Sequence, residues 1–432
     1  KMAGPSGTDI MSHRRDKSPG GEVLLLVSRT PCLGLFYLDK QGGYILEKLD
    51  KTKQKIGIIG GGQLGKMMIL EAKKMGFYVI ILDPTEKCPA DSIADDHIVA
   101  DFNDKKAFRE LARKSDVITY EFEHINVEIL MELEDEGYRV YPTASSLEII
   151  QNKYTQKDVL RKKGIPIPDF IKVSNITDIK KAGDKYSYPL MLKSCTGGYD
   201  GKGNAKIDSP EEIDKAYNKL GAGQKPLMIE EFIPFKKEIS VLACRDINDE
   251  IVVYPVGEND HKNNILYETK VPADISTEET NKAVKLAHQV MEIFSGIGLF
   301  CIEMFVGEDG QLMINEIAPR PHNSGHYTIE GCVTSQFEQH IRAITGLPLG
   351  NPALIRPSVM RNILGTGNKG QAEVSGITNA LQINGVKAHI YDKKISRPER
   401  KMGHITVTAD SLEEASKKAF NASKTLKITG KY

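Results

Sequence analysis

The sequence has no excess of either charge, no closely spaced cysteine pair and no long apolar run. Lys plus Arg and Asp plus Glu both number 58, which argues against a nucleic-acid-binding protein and against an acidic tail. The six cysteines form no C-x-x-C pair, so we expect reduced thiols in a cytoplasmic protein rather than a disulfide framework. The strongly apolar runs are only as long as strands, so no membrane-spanning helix is predicted. Any site for an anion must therefore be built locally.

The 432 residues are enough for two or three domains. Residues 1–54 stand apart, because they open on Lys1-Met2 and place basic residues among Gly, Pro and Ser. We interpret them as a poorly ordered extension outside the main fold. A targeting segment and an undefined native arm are the alternatives, although the many acidic residues argue against a transit peptide.

Alternating strands and helices begin at Lys55 and predict a parallel sheet covered by helices over residues 55–145. Residues 146–350 combine short strands with long helices and predict an α+β domain. Within it we expect a helix over 146–163 capped by Ser145 or Ser146, and another over Thr277–Phe294. Residues 351–432 predict a smaller β-rich domain, so the fold class is α/β together with α+β.

A glycine-rich turn, Gly60-x-Gly62-x-x-Gly65, follows the first buried strand and opens a helix. Such a turn brings the backbone close to an anion at a helix N-terminus. With Asp83 at the end of the next strand as a ribose acceptor, it is typical of nicotinamide dehydrogenases. The alternative is an ordinary tight turn of a doubly wound sheet.

A second glycine-rich segment, Lys193 to Asn204, combines four glycines with two lysines after a predicted strand. Glycines let such a loop bend over phosphates, and its N–H and ammonium groups suit their negative oxygens. A purely structural hairpin is the alternative. The following strand, Met228–Ile233, runs into a proline and can offer backbone groups to an adenine, with Glu238 placed for ribose hydroxyls.

Two glutamates on neighbouring strands form the strongest chemical signal. Glu303 lies in an apolar strand, Glu316 lies in the next one beside Asn315, and the turn 307–310 between them predicts a hairpin. An unpaired carboxylate in an apolar strand is costly, so the two carboxylates are expected to meet around a cation. Their hard oxygen ligands suit Mg²⁺ carrying nucleotide phosphates. A pair of solvent-facing edge glutamates is the alternative.

Two polar segments extend this site. Ala318–His326 places Arg320, which can stabilise an acyl phosphate, and several histidines beside the predicted metal. Tyr391–Lys401 is a basic turn, either a solvated loop or a phosphate-binding one. A structural role for any single histidine of the first segment stays open.

Together these motifs resemble those of the ATP-grasp superfamily and, within it, the N5-carboxyaminoimidazole ribonucleotide synthetases. The resemblance covers residues 55–430 and implies an ATP-grasp domain preceded by a Rossmann-like domain and followed by a small β-rich one. The motifs that carry it are Gly60-Gly-Gly-Gln-Leu-Gly65, Tyr120-Glu-Phe-Glu123, Lys193, Gly197-Gly-Tyr-Asp-Gly-Lys-Gly203, Glu230-Glu-Phe-Ile233, Asn315-Glu316 and Ala318-Pro-Arg-Pro-His-Asn-Ser-Gly-His326.

The resemblance implies a purine-biosynthesis ligase that carboxylates 5-aminoimidazole ribonucleotide with bicarbonate and ATP through carboxyphosphate. It further implies Mg²⁺, or Mn²⁺ in its place, a homodimer, and a separate mutase that takes the product. The rival predictions are a formate-dependent glycinamide ribonucleotide transformylase, a dehydrogenase built on the first glycine turn, and a non-catalytic nucleotide-binding module.

Residue roles implied by the resemblance fall into four groups. Glu303 and Glu316 would hold the metal. The catalytic residues would be Arg320, His322, Asn323, His326 and Lys202. ATP would contact Lys153, Lys193, Gly198, Tyr199, Asp200, Gly201, Lys202, Gly203, Asn204, Glu230, Glu231, Phe232, Ile233, Glu238, His261, Asn315 and Glu316. The ribonucleotide and bicarbonate would contact Gln63, Leu64, Glu121, Glu123, Tyr199, Asp200, Arg320, Asn323, Ser324, Lys393, Arg400 and Lys401.

Two positions depart from the family pattern. Relatives often carry arginine where this chain has Lys153, which keeps the charge but loses a bidentate grip. Ser396 lengthens the basic turn, which makes the assignment of phosphate ligands within that turn uncertain.

Overall fold

The computed structural model describes residues 53–198 and 203–431, and the backbone of a few strands nearer the N-terminus. The chain divides into two compact units, Lys1–Gln54 and Lys55–Tyr432. In the first unit the strands pair antiparallel in chain order. They are β1 (His13–Ser18), β2 (Gly21–Leu26), β3 (Leu35–Leu38) and β4 (Tyr44–Glu47). The prediction that residues 1–54 are poorly ordered otherwise falls on residues outside the described part of the chain.

The second unit opens with a parallel sheet in the order β7-β6-β5-β8, as the alternating pattern predicted. Apolar residues on both faces of its strands are buried beneath the helices. Asp104 caps the second helix by accepting hydrogen bonds from two backbone N–H groups of its first turn. The elements are β5 (Lys55–Ile59), α1 (Gln63–Lys74), β6 (Tyr78–Leu82), β7 (Asp96–Ile98), α2 (Lys105–Lys114), β8 (Val117–Tyr120) and α3 (Val127–Asp135).

The single helix predicted over 146–163 is wrong, because the chain forms two helices, α4 (Ala144–Gln151) and α5 (Lys153–Lys162). The cap of the first is Thr143 rather than either predicted serine. Asn152 separates the helices, since its extended backbone ends α4 while its side chain accepts from the N–H groups of Tyr154 and Thr155. An asparagine that bonds the backbone locally competes with helix continuation. The break places Lys153 at the first position of α5.

A small antiparallel sheet, in the order β11-β10-β12-β9, follows. Two helices pack on it around a core of aliphatic side chains. Its elements are β9 (Phe170–Val173), α6 (Ile176–Tyr186), β10 (Leu190–Ser194), β11 (Asn204–Ile207), α7 (Ile213–Lys219) and β12 (Leu227–Glu231).

A larger, mostly antiparallel sheet carries the rest of the chain and runs β18-β17-β13-β15-β16-β19-β24-β20-β22. β14 pairs with β13 at one side, and β23 pairs with both β19 and β21. The first half contains β13 (Phe235–Arg245), β14 (Ile251–Val253), β15 (Gly257–Lys262), β16 (Ile265–Val271), α8 (Thr277–Phe294), β17 (Gly298–Gly307), β18 (Leu312–Ala318), α9 (Thr328–Gly331) and α10 (Gln336–Thr345). The bounds of α8 are those predicted, and a capping box of Ser276 and Glu279 begins it.

The C-terminal strands continue this sheet, because β19 pairs with β16 of the preceding half. One closing helix covers them around a separate apolar core. The elements are β19 (Ser358–Gly367), β20 (Gly370–Ser375), α11 (Ile377–Leu381), β21 (Val386–Ile390), β22 (Ile395–Ser396), β23 (Lys401–Thr408), α12 (Leu412–Thr425) and β24 (Lys427–Lys431). The boundaries predicted after residues 145 and 350 stay predictions. Among the described helices, none is both long and apolar enough to cross a membrane.

Candidate functional site

A cleft of about 1280 Å³ lies between the small antiparallel sheet, the large sheet and the first glycine turn. Most of the residues singled out in the sequence line it. They are Gln63, Leu64, Glu123, Lys153, Lys193, Gly198, Gly203, Asn204, Glu230, Glu231, Phe232, Ile233, Glu238, His261, Glu303, Asn315, Glu316, Arg320, His322, Asn323, Lys393, Arg400 and Lys401. Residues separated by more than 300 positions in the chain thus meet in one cleft.

A few of the predicted site residues do not line this cleft. Ser324 and His326 are fully buried, and Glu121 is buried beneath the first glycine turn. Tyr199, Asp200, Gly201 and Lys202 lie outside the described residues. Their predicted roles stay predictions.

The hairpin of β17 and β18 places the two predicted metal-binding glutamates side by side. Glu303 and Glu316 are directly paired in the strand register, and a bulge follows Glu303. Burial raises the pKa of Glu303 to about 7, while His261 opposes that shift and Glu316 adds to it. Two adjacent carboxylates therefore share a site in which a bound cation would favour full ionisation.

Lys153 supplies a positive charge to this pair. Its Nζ lies 2.5 Å from Oε2 of Glu316. Burial opposes ionisation of Glu316, but the ammonium of Lys153 outweighs it and lowers the pKa of that carboxyl group. The lysine comes from the start of α5 and the glutamate from β18, so the break at Asn152 is what aims Lys153 into the cleft.

Lys193, the second candidate for phosphate binding, belongs to a buried triad of charged side chains. Lys193 on β10 lies 2.6 Å from Oε2 of Glu230 on β12, and its Nζ donates to Oδ1 of Asn315 at 3.2 Å. Lys157 lies 3.1 Å from the other oxygen of Glu230. Burial lowers the pKa of Lys157 to about 8, although Glu230 opposes that shift. The side chain of Glu230 thus orients lysines, and only its backbone remains to meet an adenine.

The ribose end predicted at Glu238 includes a histidine. Nδ1 of His261 lies 2.5 Å from Oε2 of Glu238, and the two residues come from the paired strands β15 and β13. Burial alone would lower the pKa of His261, but the carboxylate of Glu238 raises it. This pair can both donate to and accept from hydroxyl groups.

The loop after β18 presents an arginine and a histidine next to the carboxylates. Nη2 of Arg320 lies 2.7 Å from Oε1 and 3.0 Å from Oε2 of Glu123, which fixes its guanidinium group. Nδ1 of His322 lies 3.8 Å from Oε1 of Glu303 and 2.9 Å from Oγ of Ser324. Burial lowers the pKa of His322 well below its usual range, with Arg320 adding to the effect, so this imidazole is neutral.

Basic residues of the last domain also line the cleft. Nζ of Lys393 donates to Oε1 of Gln63 at 2.6 Å, and Arg400 and Lys401 line the same cleft. The side chain of Ser396 in this turn is buried. Lys393 and Gln63 join the last domain to the first glycine turn.

The glycine turn itself is filled by the protein's own carboxylates. Oε1 of Glu121 accepts from the N–H of Gly62 in a short hydrogen bond, and Oε2 accepts from the N–H of Gly65 at 2.7 Å. Asp83, predicted as a ribose acceptor, accepts a hydrogen bond from the N–H of Gly61 at 2.8 Å. Gly60 has φ of 100°, and a Cβ there would collide with Glu121. Because these carboxylates occupy the anion position, the turn cannot also hold a dinucleotide pyrophosphate.

Three residues of interest were missed in the sequence. Lys157 lies one helical turn after Lys153, a spacing that would have indicated a shared face. Asn362 and His404 sit on β19 and β23, where Asn362 exchanges hydrogen bonds with Asn323 and the ring of His404 lies 4.6 Å from that of His326. No local pattern pointed to either of them.

Comparisons with known proteins identify the family of each part of this fold. The family model of the ATP-grasp domain matches residues 158–337, that of the ribonucleotide synthetase preATP-grasp domain matches 53–151, and that of the phosphoribosylaminoimidazole carboxylase C-terminal domain matches 358–418. The N5-carboxyaminoimidazole ribonucleotide synthase of Bacillus subtilis is 43% identical over 352 residues, covering 81% of this chain and 90% of that protein.

Solved structures show the same likeness. The N5-carboxyaminoimidazole ribonucleotide synthetase of Thermotoga maritima has a TM-score of 0.80 and 45% identity, covering 88% of this chain and 100% of that one. The N5-carboxyaminoimidazole synthase of Aspergillus clavatus, in complex with ADP and 5-aminoimidazole ribonucleotide, has a TM-score of 0.80 and 36% identity, covering 87% and 99%. The predicted ATP-grasp fold, with its Rossmann-like and β-rich flanking domains, is confirmed. This chain belongs to the N5-carboxyaminoimidazole ribonucleotide synthase family and is an ATP-grasp ligase.

Proposed function

We propose that the cleft carboxylates 5-aminoimidazole ribonucleotide with bicarbonate and ATP, giving N5-carboxyaminoimidazole ribonucleotide, ADP and phosphate in purine biosynthesis. One observation carries the proposal. Lysines and paired carboxylates suited to phosphoryl transfer line the same cleft as a loop with a fixed arginine and a neutral histidine. That combination suits a reaction in which an acyl phosphate is made and used in one place.

At the nucleotide end, Lys153 and Lys193 would donate to the phosphates. Lys193 is preorganised by Glu230 at 2.6 Å, whereas Lys153 must exchange Glu316 for a phosphate oxygen. The backbone of Glu230–Ile233 would meet the adenine, and Glu238 with His261 would meet the ribose hydroxyls. Gly198, Gly203 and Asn204 flank the segment that would cover the phosphates, and Lys202 within that segment stays a predicted catalytic residue.

Glu303, Glu316 and Asn315 fit a magnesium ion, with manganese as a substitute. They offer hard oxygen atoms, and the ammonium of Lys153 already lies 2.5 Å from Glu316, where a cation is favoured. Among the described residues no group of three or more His, Cys, Asp or Glu side chains could hold a metal. The two carboxylates and the amide oxygen of Asn315 therefore suit a Mg²⁺ ion that also takes ligands from the nucleotide phosphates. When bound, the ion would neutralise phosphate charge and polarise the γ-phosphoryl group.

In the first step an oxygen of bicarbonate would attack the γ-phosphorus, releasing ADP and forming carboxyphosphate. Arg320, fixed by Glu123, would stabilise the oxyanion of bicarbonate and of the acyl phosphate. In the second step the amine of the ribonucleotide would attack the carboxyl carbon. It would attack carboxyphosphate itself, which expels phosphate, or carbon dioxide after carboxyphosphate has already released phosphate. The departing phosphate can take the proton that the amine loses, and His322, a neutral imidazole that does not readily hold a proton, can orient the reacting groups by hydrogen bonding.

Lys393, Arg400 and Lys401 would bind the 5′-phosphate of the ribonucleotide. Gln63, Leu64, Glu123 and Asn323 would line the part of the cleft between that phosphate and the reacting amine. Glu121, Ser324 and His326 lie behind these residues, so any role of theirs in substrate binding would be indirect.

A substrate-omission assay of ADP release tests the proposal. We expect ADP release to require bicarbonate. When 5-aminoimidazole ribonucleotide is present, the amount of ADP released should equal the amount of carboxylated product formed. ADP release that ignores this ribonucleotide but responds to formate and glycinamide ribonucleotide would instead support the transformylase alternative.

The family resemblance also implies a homodimer and a separate mutase that takes the product. Val333 and Ile355 are apolar, more than half exposed, and lie on neighbouring backbone segments, which supports an association surface. Light scattering of the wild type and of Val333→Asp would test it. The buried, reduced cysteines Cys88, Cys195, Cys244, Cys301 and Cys332 support a cytoplasmic location.

A further inference from the structure

A row of polar side chains crosses neighbouring strands of the last domain. Asn362 on β19 lies opposite His404 on β23, and His404 lies opposite His389 on β21. The rings of His404 and His389 stack with centroids 4.3 Å apart and nearly parallel planes. Side chains that are paired in register point to the same face of a sheet, so these three form a continuous row.

A second row faces the first from the loop Ala318–His326, which carries Arg320 and His322 and which we call the catalytic loop, and from α9 just after it. Asn323, His326 and Glu330 are spaced three and four residues apart along a short turn and α9, which puts them on one side. Each meets one member of the first row, and we call the three contacts the polar ladder. Asn323 and Asn362 exchange hydrogen bonds of 3.0 and 2.6 Å, the rings of His326 and His404 have centroids 4.6 Å apart, and Nε2 of His389 lies 2.7 Å from Oε1 of Glu330.

The middle contact of the ladder is not built for stability. His326 and His404 are fully buried, and burial lowers the pKa of both rings, which are therefore neutral. Within the part of the chain that the structure describes, Nε2 of each ring meets no hydrogen-bonding partner. Buried polar atoms left in this way cost stability, and two apolar side chains of similar shape would avoid that cost. The two Nε2 atoms therefore add nothing to stability, whereas Nδ1 of each ring is bonded, to Gln336 for His326 and to Tyr391 for His404.

The ladder is linked to the cleft through the neighbours of its two middle rings, His404 and His326. On one side the hydroxyl group of Tyr391 lies 2.9 Å from Nδ1 of His404, and the ammonium of Lys393 lies 5.5 Å from the ring of Tyr391. Lys393 belongs to the proposed 5′-phosphate end. On the other side His322 contacts Ser324, two residues before His326. The ladder therefore connects the phosphate end of the ribonucleotide site with the loop that carries Arg320 and His322.

We propose that Asn362, His404 and His389 are positioning residues that hold the catalytic loop in place relative to the bound ribonucleotide. They touch no reacting atom, and they act through Asn323, His326 and the loop that contains them. Their effect is to keep the ribonucleotide amine aligned with the carboxyphosphate, so that the acyl phosphate is used before water destroys it. This inference rests on the proposed function, because it assumes that two substrates react in this cleft.

His404→Phe is the central test, because phenylalanine keeps the ring volume and the stacking but removes the contact with Tyr391. We expect kcat for carboxylation to fall ~10- to 100-fold, since a small misplacement of reacting groups has effects of that size. The KM for ATP should change by no more than about 2-fold, because the nucleotide end is untouched. ADP release should exceed formation of the carboxylated product, since carboxyphosphate would hydrolyse while it waits for a misaligned amine.

His340→Gln is the matched control, because His340 is another fully buried histidine that lies outside the ladder. It bonds Oγ1 of Thr119 at 2.8 Å and the N–H of Leu299 at 3.1 Å. This variant should lower the melting temperature while ADP release stays equal to product formation. A loss of stability alone therefore cannot reproduce the uncoupling expected of His404→Phe.

His389→Ala is the second variant, because His389 is partly exposed and its loss is easier for the fold to tolerate. It should show the same uncoupling, with a fall in kcat of about 3- to 10-fold. Coupled turnover at the wild-type rate in both ladder variants would overturn the inference, and if His404→Phe does not fold, His389→Ala decides. Wild-type ADP release that ignores the ribonucleotide would overturn the proposed function, and the positioning role with it.

Discussion

Carboxylates serve opposite purposes at the first glycine turn and at the β17–β18 hairpin. Glu121 is buried and bonded to the backbone N–H groups of Gly62 and Gly65. Glu303 and Glu316 instead lie side by side in the cleft, with Lys153 bonded to Glu316 and with His261 near Glu303. A carboxylate held by backbone donors belongs to the fold, because nothing can replace those donors. A carboxylate held by a flexible lysine can exchange it for a metal ion and a nucleotide.

The comparison also shows why a glycine pattern alone is a weak indicator. Both glycine-rich segments suit an anion, but at the first one the protein supplies the anion itself through Glu121 and Asp83. The second begins at Lys193, whose ammonium is held at the edge of the open cleft. What separates a structural turn from a binding loop is whether the N–H groups are already occupied.

The largest expected effect is on turnover at the hairpin. Glu316→Gln should lower kcat for ADP release by about 10³-fold or more, because it removes one of two metal-binding carboxylates. The melting temperature should stay close to that of the wild type, since the change is isosteric and the side chain is partly exposed. Glu308→Gln, on the exposed turn of the same hairpin, is the control and should leave turnover unchanged. Near-normal activity of Glu316→Gln would remove this residue from the metal site.

The opposite result is expected at the glycine turn. Glu121→Gln should lower the free energy of unfolding by about 2–3 kcal/mol, because an NH₂ group would then face one of the two backbone N–H donors. Once folded, the variant should keep kcat within about 2-fold, since the side chain does not line the cleft. Urea unfolding measures the first effect, with exposed Glu86→Gln as the control. Unchanged stability with a much higher KM for the ribonucleotide would instead place Glu121 in the substrate site.

A smaller effect should appear in the pH dependence of the protein without nucleotide and metal. The pKa of Glu303 rises from its usual 4.5 to about 7 in the folded protein, so the folded state binds the extra proton. Stability should therefore fall as the pH rises from 4.5 to 7. Because about a quarter of the side chain is exposed, we expect Glu303→Gln to be more stable than the wild type by about 2 kcal/mol at pH 8.

Urea unfolding at pH 4.5 and pH 8 measures this difference. The gap between Glu303→Gln and the wild type should close at the lower pH, where the wild-type carboxyl group is protonated. Glu308→Gln should follow the wild type throughout. A gap that does not change with pH would show that Glu303 keeps its charge without a cation.

The smallest effect concerns the exchangeable lysine. Lys153→Arg should lower the KM for ATP by about 2- to 5-fold, because a guanidinium group can bind a phosphate through two parallel hydrogen bonds. Initial-rate kinetics of ADP release measure it, with exposed Lys163→Arg, at the C-cap of the same helix, as the control. A higher KM for ATP would mean that the ion pair with Glu316 contributes more to ATP binding than a second hydrogen bond to the phosphate does.

Local features were predictable from the sequence where nearby residues decide them. Helix α8 has its predicted bounds because Ser276 and Glu279 cap it. The pairing of Glu303 with Glu316 follows from the short turn between their strands. The break at Asn152 was missed although it too is local, because no glycine or proline marks it and an asparagine that bonds the backbone ends the first helix.

The sequence by itself determined the alternation of strands and helices, the hairpin of carboxylates and the motifs that indicate the family. Only the tertiary structure decided which partner each charge takes. It brought Glu121 to Gly65, Lys153 to Glu316 and His404 to His326. Periodicity, caps and short turns depend on residues a few positions apart, so they can be read along the chain. The partner of a buried charge depends on which distant elements pack together, because burial makes an unpaired charge too costly to leave alone.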